Sequence, residues 1–441
     1  MEILIKALQL LLSLSILVIL HELGHFIPAK LFKTKVEKFY LFFDPWFSIV
    51  KRKIGDTEYG IGWLPLGGYV KISGMIDESM DKNQMKEEPK KWEFRAKPAW
   101  QRLIIMLGGV TVNLLLGIFI YSMILFVWND TYLKNDDAIN GVICSDFAKE
   151  IGFENGDKIK AIDGLRVERF TDISKDMVLR DKAFVVFVER NEEFIPVPIG
   201  DNFIKHWKNS GKKILFTPRS KVTVGSIDKN SAAEKAGILT GDVLISVNDI
   251  ETPFFDIFRE ELMKNKSEIV TILIERIVGD DLRLEEIQVE VSENGKIGFG
   301  LNYNLDYSVE EFGFFESIPA GYNLAMSRLG EYISQFALIF NSENDLGGEI
   351  GGFGAIGNMF PSEWDWHRFW DLTAFLSLML AFMNLLPIPA LDGGHVVFLL
   401  YEIIVRKPAP EKVMEYSQII GMIILFSLLI FANGNDILKM F

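Results

Sequence analysis

His21-Glu22-Leu23-Gly24-His25 follows an apolar run, Ala7 to Leu20, that holds no ionisable side chain. Ionisable groups at membrane depth are costly and persist where they pair, bind or react. On a helix, residues at i and i+4 share a face, so His21 and His25 can reach one metal ion. Glu22 projects about a quarter-turn away, placed to take a proton from an attacking water. By itself the stretch reads as a zinc hydrolase site inside a membrane helix. It requires of the remaining chain a third ligand, a path for substrate and a topology.

Composition agrees with a membrane setting. The 441 residues are 49% hydrophobic, and the mean hydropathy is +0.20. A net charge of −14 argues against nucleic acid as a partner. Cys144 is the one cysteine, which excludes an internal disulfide and any cysteine-based zinc site. The first apolar run passes into HELGH without a small-x-small cleavage site, so it reads as a span and not as a signal peptide.

Charge flanks order the spans. The first, from about Ile3 to Leu31, ends among Lys30, Lys33, Lys35 and Lys38. The second, from about Trp100 to Trp128, starts beside Arg95, Lys97 and Arg102 and ends at Asp130, Asp136 and Asp137. The third, from about Phe369 to Leu391, has Glu363, Asp365 and Asp371 at its start and Arg406, Lys407 and Lys412 beyond its end. The fourth runs from about Glu415 to Phe431. The positive-inside rule then predicts four spans with both termini outside, and residues 32–99 on the cytoplasmic side with HELGH.

Residues 34–75 read as strands, with Ile49 to Lys53 and Glu58 to Trp63 pairing across Gly55-Asp56. The stretch Gly60 to Lys71 is apolar but rich in Gly and Pro. Irregular backbone at membrane depth is tolerated where protein or a cavity satisfies it, so a re-entrant hairpin beside the site is expected, containing Gly60, Gly62, Gly67 and Gly68. A soluble edge hairpin is the alternative. Ile76 to Lys97 reads as a polar connector.

Residues 130–305 contain a repeat. Gly152-Phe153 and Gly156-Asp157 recur as Gly237-Ile238 and Gly241-Asp242, an offset of 85 residues (152 to 237). Each copy reads strand, short helix, Gly-hydrophobic loop, Gly-Asp turn, strand, helix and two strands. The Lys235 to Asp242 stretch resembles tandem PDZ domains of the bacterial, circularly permuted type. That resemblance implies a loop, Gly237, Ile238 and Leu239, able to cradle a peptide C-terminus, and an adjoining strand edge able to pair with it. Glu310 to Phe340 is expected as amphipathic helices on the outer membrane surface, with a soluble helix packed on the second repeat as the alternative. Gly347 to Gly357 lacks the basic residue of a phosphate loop.

Zinc hydrolases commonly use three protein ligands. Asp392, at the end of the third span, is the candidate to join His21 and His25, with His395 competing three residues on. Pro387 and Pro389 break the helix and free backbone carbonyls, and Asn384 is placed to bind a substrate carbonyl or the developing oxyanion, the alternative being a cap on the helix break or a bridge to Asn113 of the second span. A metal-dependent transporter, or a scaffold that merely holds peptides, has no use for Glu22 beside His21.

Taken together, His21 to His25, Pro65-Leu66-Gly67-Gly68-Tyr69-Val70 and Asn384 to Gly394, with the PDZ-like tandem between, resemble the site-2 protease family of intramembrane zinc metalloproteases. Within it, the bacterial regulators of sigma-E are the nearest type. One departure is Phe353, which follows Gly351-Gly352 where the family often has Pro. The resemblance implies one Zn2+ held by His21, His25 and Asp392, with Glu22 as catalytic acid/base. It implies that the substrate is the transmembrane helix of a single-span protein, such as a pre-trimmed anti-sigma factor in envelope stress signalling, or a signal peptide to be cleared, and that the Gly60 to Lys71 hairpin, with Gly60, Gly62, Gly67 and Gly68, pairs with that helix once unwound. It places the chain in the bacterial inner membrane, in contact with lipid, with the PDZ-like domains periplasmic. The expected fold is a multi-pass α-helical membrane protein of four spans with a cytoplasmic-side re-entrant β-hairpin and a soluble tandem PDZ-like α+β insertion. Its segments are 1–33, 34–99, 100–129, 130–216, 217–306, 307–362, 363–395 and 396–441.

Overall fold

The computed structural model describes residues 2–65, 67–75, 88–180, 182–211, 214–279, 281–340 and 351–439. Residues 76–87 of the expected connector and 347–350 of the glycine-rich loop lie outside them. The chain divides into two compact units. One joins the residues up to Asn129 with Glu311–Phe340 and the chain from 351 onward, and the other is Asp130–Glu310.

Helix α1 (Glu2–Leu31) buries one stripe, Gln9, Ser13, Leu17, Gly24, His25 and Ala29. It is followed by a four-stranded sheet: β1 (Val36–Leu41), β2 (Phe43–Ile54), β3 (Thr57–Leu64) and β4 (Tyr69–Ile72), in the order β2-β3-β1-β4. β2 and β3 form the expected hairpin around Gly55, with Lys53 opposite Glu58. The hairpin expected over Gly60 to Lys71 does not form. β3 runs parallel to β1, with Gly60 opposite Tyr40, and β4 pairs antiparallel with the other edge of β1, with Tyr69 opposite Tyr40. Aromatic packing favours this arrangement. Tyr40 stacks on Tyr69 at 5.3 Å and Tyr69 on Phe43 at 5.9 Å. A Cβ on Gly60 would sit 2.3 Å from the Tyr40 ring, and one on Gly62 2.1 Å from the Phe43 carbonyl. Those glycines therefore serve close packing inside the sheet. Phe94 is buried with Val36, Ile72, Ile105 and Met106, so the end of the connector adds to the core instead of being wholly polar. Helix α2 (Ala99–Trp128) starts after Pro98 and ends at Asn129, whose φ is +59°.

The inserted unit opens with β5 (Asp130–Leu133) and holds two repeats. The first is β6 (Val142–Cys144), α3 (Asp146–Glu150), β7 (Lys158–Ile162), β8 (Leu165–Arg166), α4 (Phe170–Val178), β9 (Phe184–Arg190), β10 (Glu193–Ile199), an added helix α5 (Phe203–Asn209) and β11 (Phe216–Pro218). The second is β12 (Thr223–Ile227), α6 (Ala232–Ala236), β13 (Val243–Val247), β14 (Ile250–Glu251), α7 (Phe255–Lys264), β15 (Ile269–Val278), β16 (Asp281–Glu290) and β17 (Phe299–Asn302). β18 (Tyr307–Glu310) then pairs with β5.

The same small devices build both repeats. Ser145 and Ser231 cap α3 and α6 by accepting from the N–H of Ala148 and Glu234. Gly156 and Gly241 have φ of +98° and +96°, which favours glycine. Arg190 donates to both carboxylate oxygens of Asp157 and to the Gly152 carbonyl. Arg276 does the same to Asp242 and Gly237. The Gly-Asp turn is thus a buried bidentate clasp on an arginine from a distant strand.

After the insertion come α8 (Phe314–Phe340), α9 (Phe353–Met359), α10 (Trp366–Leu385), α11 (Asp392–Val405) and α12 (Glu411–Leu438). α8 does not lie apart as a surface helix. It packs along α2 and α10, with Phe314 edge-on to Phe126 and both Tyr332 and Phe336 edge-on to Phe382. Ser317, Gly321 and Ala325 make a small-residue stripe at four-residue spacing, and a Cβ on Gly321 would meet the Ser122 backbone at 2.5 Å. Small side chains let helix backbones approach closely. The third span was expected to reach about Leu391 with a break at Pro387 and Pro389. The break is there: α10 stops at Leu385, and Asp392 opens a separate helix, α11, instead of ending the span. The expected fourth-span segment holds most of α11 as well as α12, because Pro408 and Pro410 separate the two.

Among the described residues, three helices are long and apolar enough to cross a membrane: Glu2–Leu31, Ala99–Trp128 and Lys412–Leu438. α10 is enclosed by protein and can carry hydroxyls. Its Thr373 bonds to Ser13, and its Ser377 donates to the Asn113 carbonyl.

Breaking one partner of a buried ion pair strands the other and costs about 3–5 kcal/mol. Arg276→Met is therefore expected to destabilise the second repeat selectively. Hydrogen–deuterium exchange in urea would show peptides from 222–302 opening at lower denaturant, with peptides from 142–199 unchanged.

Candidate metal centre

α1 and α2 meet backbone to backbone. A Cβ on Gly24 would lie 2.4 Å from the Gly108 carbonyl oxygen, and one on Gly108 would lie 1.9 Å from the Gly24 oxygen. This contact lays both imidazoles on Gly109, where a Cβ would fall 2.4 Å from His25 Nε2 and 2.8 Å from His21 Nε2. Gly109 therefore leaves a hollow directly beside the two rings. The His25 Nδ1–H donates to the Ile105 carbonyl at 2.8 Å, which leaves Nε2 with its lone pair. The Asn113 amide faces His21 Nδ1 at 3.2 Å.

The third group arrives from the broken segment after α10. Only glycine fits at Gly393 and Gly394, where a Cβ would meet the Leu386 oxygen at 2.2 Å and the Ile388 oxygen at 2.6 Å. Ala390 takes a φ of +80°, and its N–H donates to Gln418 Oε1 of α12 at 3.2 Å. A Cβ on Gly421, one turn on, would lie 1.7 Å from the Pro389 oxygen. The loop is thus gripped by its own helix and by α12, and it aims Asp392 at the histidines.

His21 Nε2, His25 Nε2 and Asp392 Oδ2 form a triangle with edges of 3.2, 3.3 and 3.3 Å. Asp392 Oδ2 is buried without a hydrogen-bond partner, although an imidazole nitrogen of each histidine stands 3.3 Å away. Two imidazole nitrogens and a carboxylate oxygen gathered at this distance need a cation between them. A tetrahedral zinc ion with bonds of about 2.0–2.1 Å spaces its ligands about 3.3 Å apart. The donor set, the orphaned oxygen and the hollow at Gly109 all fit zinc. Among the described residues this is the one group of three such side chains close enough to hold a metal. His395, one turn on in α11, is outside it.

Glu22 faces β4. A Cβ on Gly68 would meet Val18 at 2.7 Å and the Glu22 Cγ at 3.6 Å, and the Val70 N–H is directed at the Glu22 carboxylate. Gly67, φ +139°, sets the approach of that strand. β4 is an edge of its sheet, so its outer backbone is unpaired within the sheet. Of the four glycines singled out from sequence, Gly68 lies by Glu22 and Gly67 against the Phe43 ring, while Gly60 and Gly62 are spent on packing. Asn384 is half-buried near the end of α10, ahead of Pro387 and Pro389.

The loop of the second repeat differs from expectation. The N–H groups of Gly237, Ile238 and Leu239 donate to Glu234 O, Ala233 O and Asp242 Oδ2. None of the three is free for a peptide carboxylate. The sheet of that repeat has its edges at β16 and β17, and β17 pairs with β12, the strand that leads into α6.

With the geometry in hand, comparison with known proteins is decisive. The profile of peptidase family M50 matches residues 9–428. The chain belongs to peptidase family M50. It is 28% identical to the regulator of sigma-E protease RseP of Escherichia coli, covering 96% of each chain. It is also 28% identical to the regulator of sigma E protease of Haemophilus influenzae, covering 97% of each. This M50 peptidase is a zinc metalloprotease. Sequence reasoning missed Gly109, Ile105 and Gln418 as parts of the surroundings of its site, and named Asn113 only as a bridge to Asn384. The available signal was small or polar residues at i and i+4, Gly109 and Asn113, inside the otherwise apolar α2.

Gly109→Ala puts a methyl group into the hollow beside both imidazoles. The purified variant is expected to hold less than about a tenth of a zinc per chain by metal analysis, against about one in the parent. Equal zinc content would remove Gly109 from the site.

Proposed function

We propose that the chain performs intramembrane proteolysis of single-span membrane proteins, with His21, His25 and Asp392 as zinc ligands and Glu22 as the acid/base. The observation that carries this is the triangle of donors, set on a helix long and apolar enough to span a membrane, with Glu22 beside it. The bundle has four spans in this reading. α10 crosses enclosed by its neighbours, while α12 turns Ile420, Ile423, Phe426 and Ile430 outward to lipid. Basic flanks at Lys30 to Lys38 and at Arg406 to Lys412 put the metal end of the bundle at the cytoplasmic side of a bacterial inner membrane and the inserted unit in the periplasm.

Zinc, when bound, supplies a Lewis acid for the scissile carbonyl. Glu22 takes the proton of the attacking water and delivers it to the leaving amine. A substrate helix shields its own carbonyls, so it has to unwind before attack. The open edge of β4, reached through Gly67 and Gly68, offers backbone partners to the unwound strand and holds it beside Glu22. Asn384 and the carbonyls freed at Pro387 and Pro389 hold it from the opposite side. The inserted repeats act as PDZ-like domains, and the edge of β17 pairs with the C-terminus of a trimmed substrate. Two relatives are named as regulators of sigma E, which supports a role in sigma-factor regulation, and an anti-sigma factor is the substrate class of this reading.

Glu22→Gln keeps the shape of the side chain and removes the base. In proteoliposomes with a single-span substrate, cleavage is expected to fall at least about 10²-fold, with zinc content equal to the parent. Cleavage within about threefold of the parent would overturn the assignment.

A further inference from the structure

Asn113 is the one polar side chain of α2 that reaches the metal centre, and the mechanism above gives it no task. It is fully buried, and the carbonyl oxygen of its own backbone is pinned by Ser377 Oγ at 2.7 Å. It stands four residues after Gly109, on the same face of α2, so the residue that leaves room for the cation and the residue that touches His21 are set by one helix turn. Its Nδ2 lies 3.2 Å from His21 Nδ1, while its Oδ1 is buried with no hydrogen-bond partner.

The two ring nitrogens of a neutral histidine carry one proton between them. His25 shows how this is settled: its Nδ1–H is spent on the Ile105 carbonyl, so Nε2 faces Asp392 as a lone pair. His21 has Nε2 in the same position, 3.3 Å from Asp392 Oδ2. For that nitrogen to be a ligand, His21 has to carry its proton on Nδ1, and a proton on Nδ1 needs an acceptor. The Nδ2 of Asn113 cannot be one. The Oδ1 of the same amide can, and a half-turn of the amide exchanges the two atoms with almost no change of shape.

We infer that Asn113 is the positioning residue of His21: in the zinc-loaded protein its Oδ1 accepts the Nδ1–H of His21 and fixes the ring with Nε2 toward the metal. This rests on the reading of His21, His25 and Asp392 as ligands. It pairs each histidine with its own acceptor on α2, the Ile105 carbonyl for His25 and the Asn113 side chain for His21. Partners of this kind commonly set metal affinity by 10–100-fold.

The test compares Asn113→Leu, which keeps the volume and removes the acceptor, with Asn113→Asp, which keeps an acceptor oxygen in either orientation. Full-length protein is purified, stripped of metal and titrated with zinc against a chromogenic chelator. Ligand-field spectra are recorded on the cobalt-loaded forms. The expected result is zinc affinity about 10–100-fold weaker for Asn113→Leu, with shifted cobalt bands, and within about threefold of the parent for Asn113→Asp. Parent-like affinity and spectrum in Asn113→Leu would overturn the inference, as would an Asn113→Asp variant as weak as Asn113→Leu. If Asn113→Leu lacks the melting transition of the metal-free parent, Asn113→Asp decides alone: parent-like affinity supports the inference and a loss beyond tenfold overturns it. A parent protein whose zinc survives His21→Ala unchanged would instead sink the ligand assignment on which the inference stands.

Discussion

The contact of Gly24 with Gly108 is the constraint on which the metal centre depends. Two helix backbones come together there with no side chain between them, and a Cβ on either residue would strike the other helix's carbonyl oxygen. Close approach of this kind is how helices associate where lipid provides no hydrophobic drive. Because Gly24 lies between His21 and His25, the contact fixes the height and rotation of both rings against α2. Gly109, next along, becomes the hollow beside them, and Ile105 and Asn113 become their partners one turn to either side.

The second support is the segment between α10 and α11. Two prolines stop α10, and the carbonyls of Leu386 and Ile388, which accept from the N–H groups of Ile388 and Leu391, fold over Gly393 and Gly394. The turn is held from outside by Gln418 and Gly421 of α12. Asp392 therefore enters from a loop clamped on two sides, not from the end of a continuous helix. A buried carboxylate with an orphaned oxygen is costly unless a cation answers it, and the two imidazoles are already placed for the same cation. The fold thus concentrates its polar cost at one point.

How far the sequence could be read follows from the range of each determinant. HELGH and the Asp392 region were legible because their signals are local: i, i+4 spacing on a helix, and Pro and Gly in a short run. The secondary structure of the second repeat was legible for the same reason, from Thr223–Ile227 through Asp281–Glu290. The placement of β1 between β3 and β4 was not, because it depends on Tyr40 packing across Gly60 and onto Tyr69, contacts remote in sequence. α8 misled because its stripe of Ser317, Gly321 and Ala325 is small rather than apolar, and a hydropathy pattern gives such residues little weight. The arginine of each clasp escaped the repeat search because Arg190 and Arg276 stand one residue off the offset that relates Asp157 to Asp242. Each arginine lies beyond an irregular pairing, between Ile159 and Ala161 in one repeat and between Leu244 and Ser246 in the other.

The central claim is that two histidines and one aspartate, brought together by α1, α2 and the broken segment, hold a zinc ion. Zinc-edge X-ray absorption on the purified protein tests it most directly. The account predicts a four-coordinate site of nitrogen and oxygen ligands at about 2.0–2.2 Å, with the outer-shell signature of two imidazoles. A sulfur shell near 2.3 Å, a single imidazole, or zinc that remains in full after Asp392→Ala would contradict it.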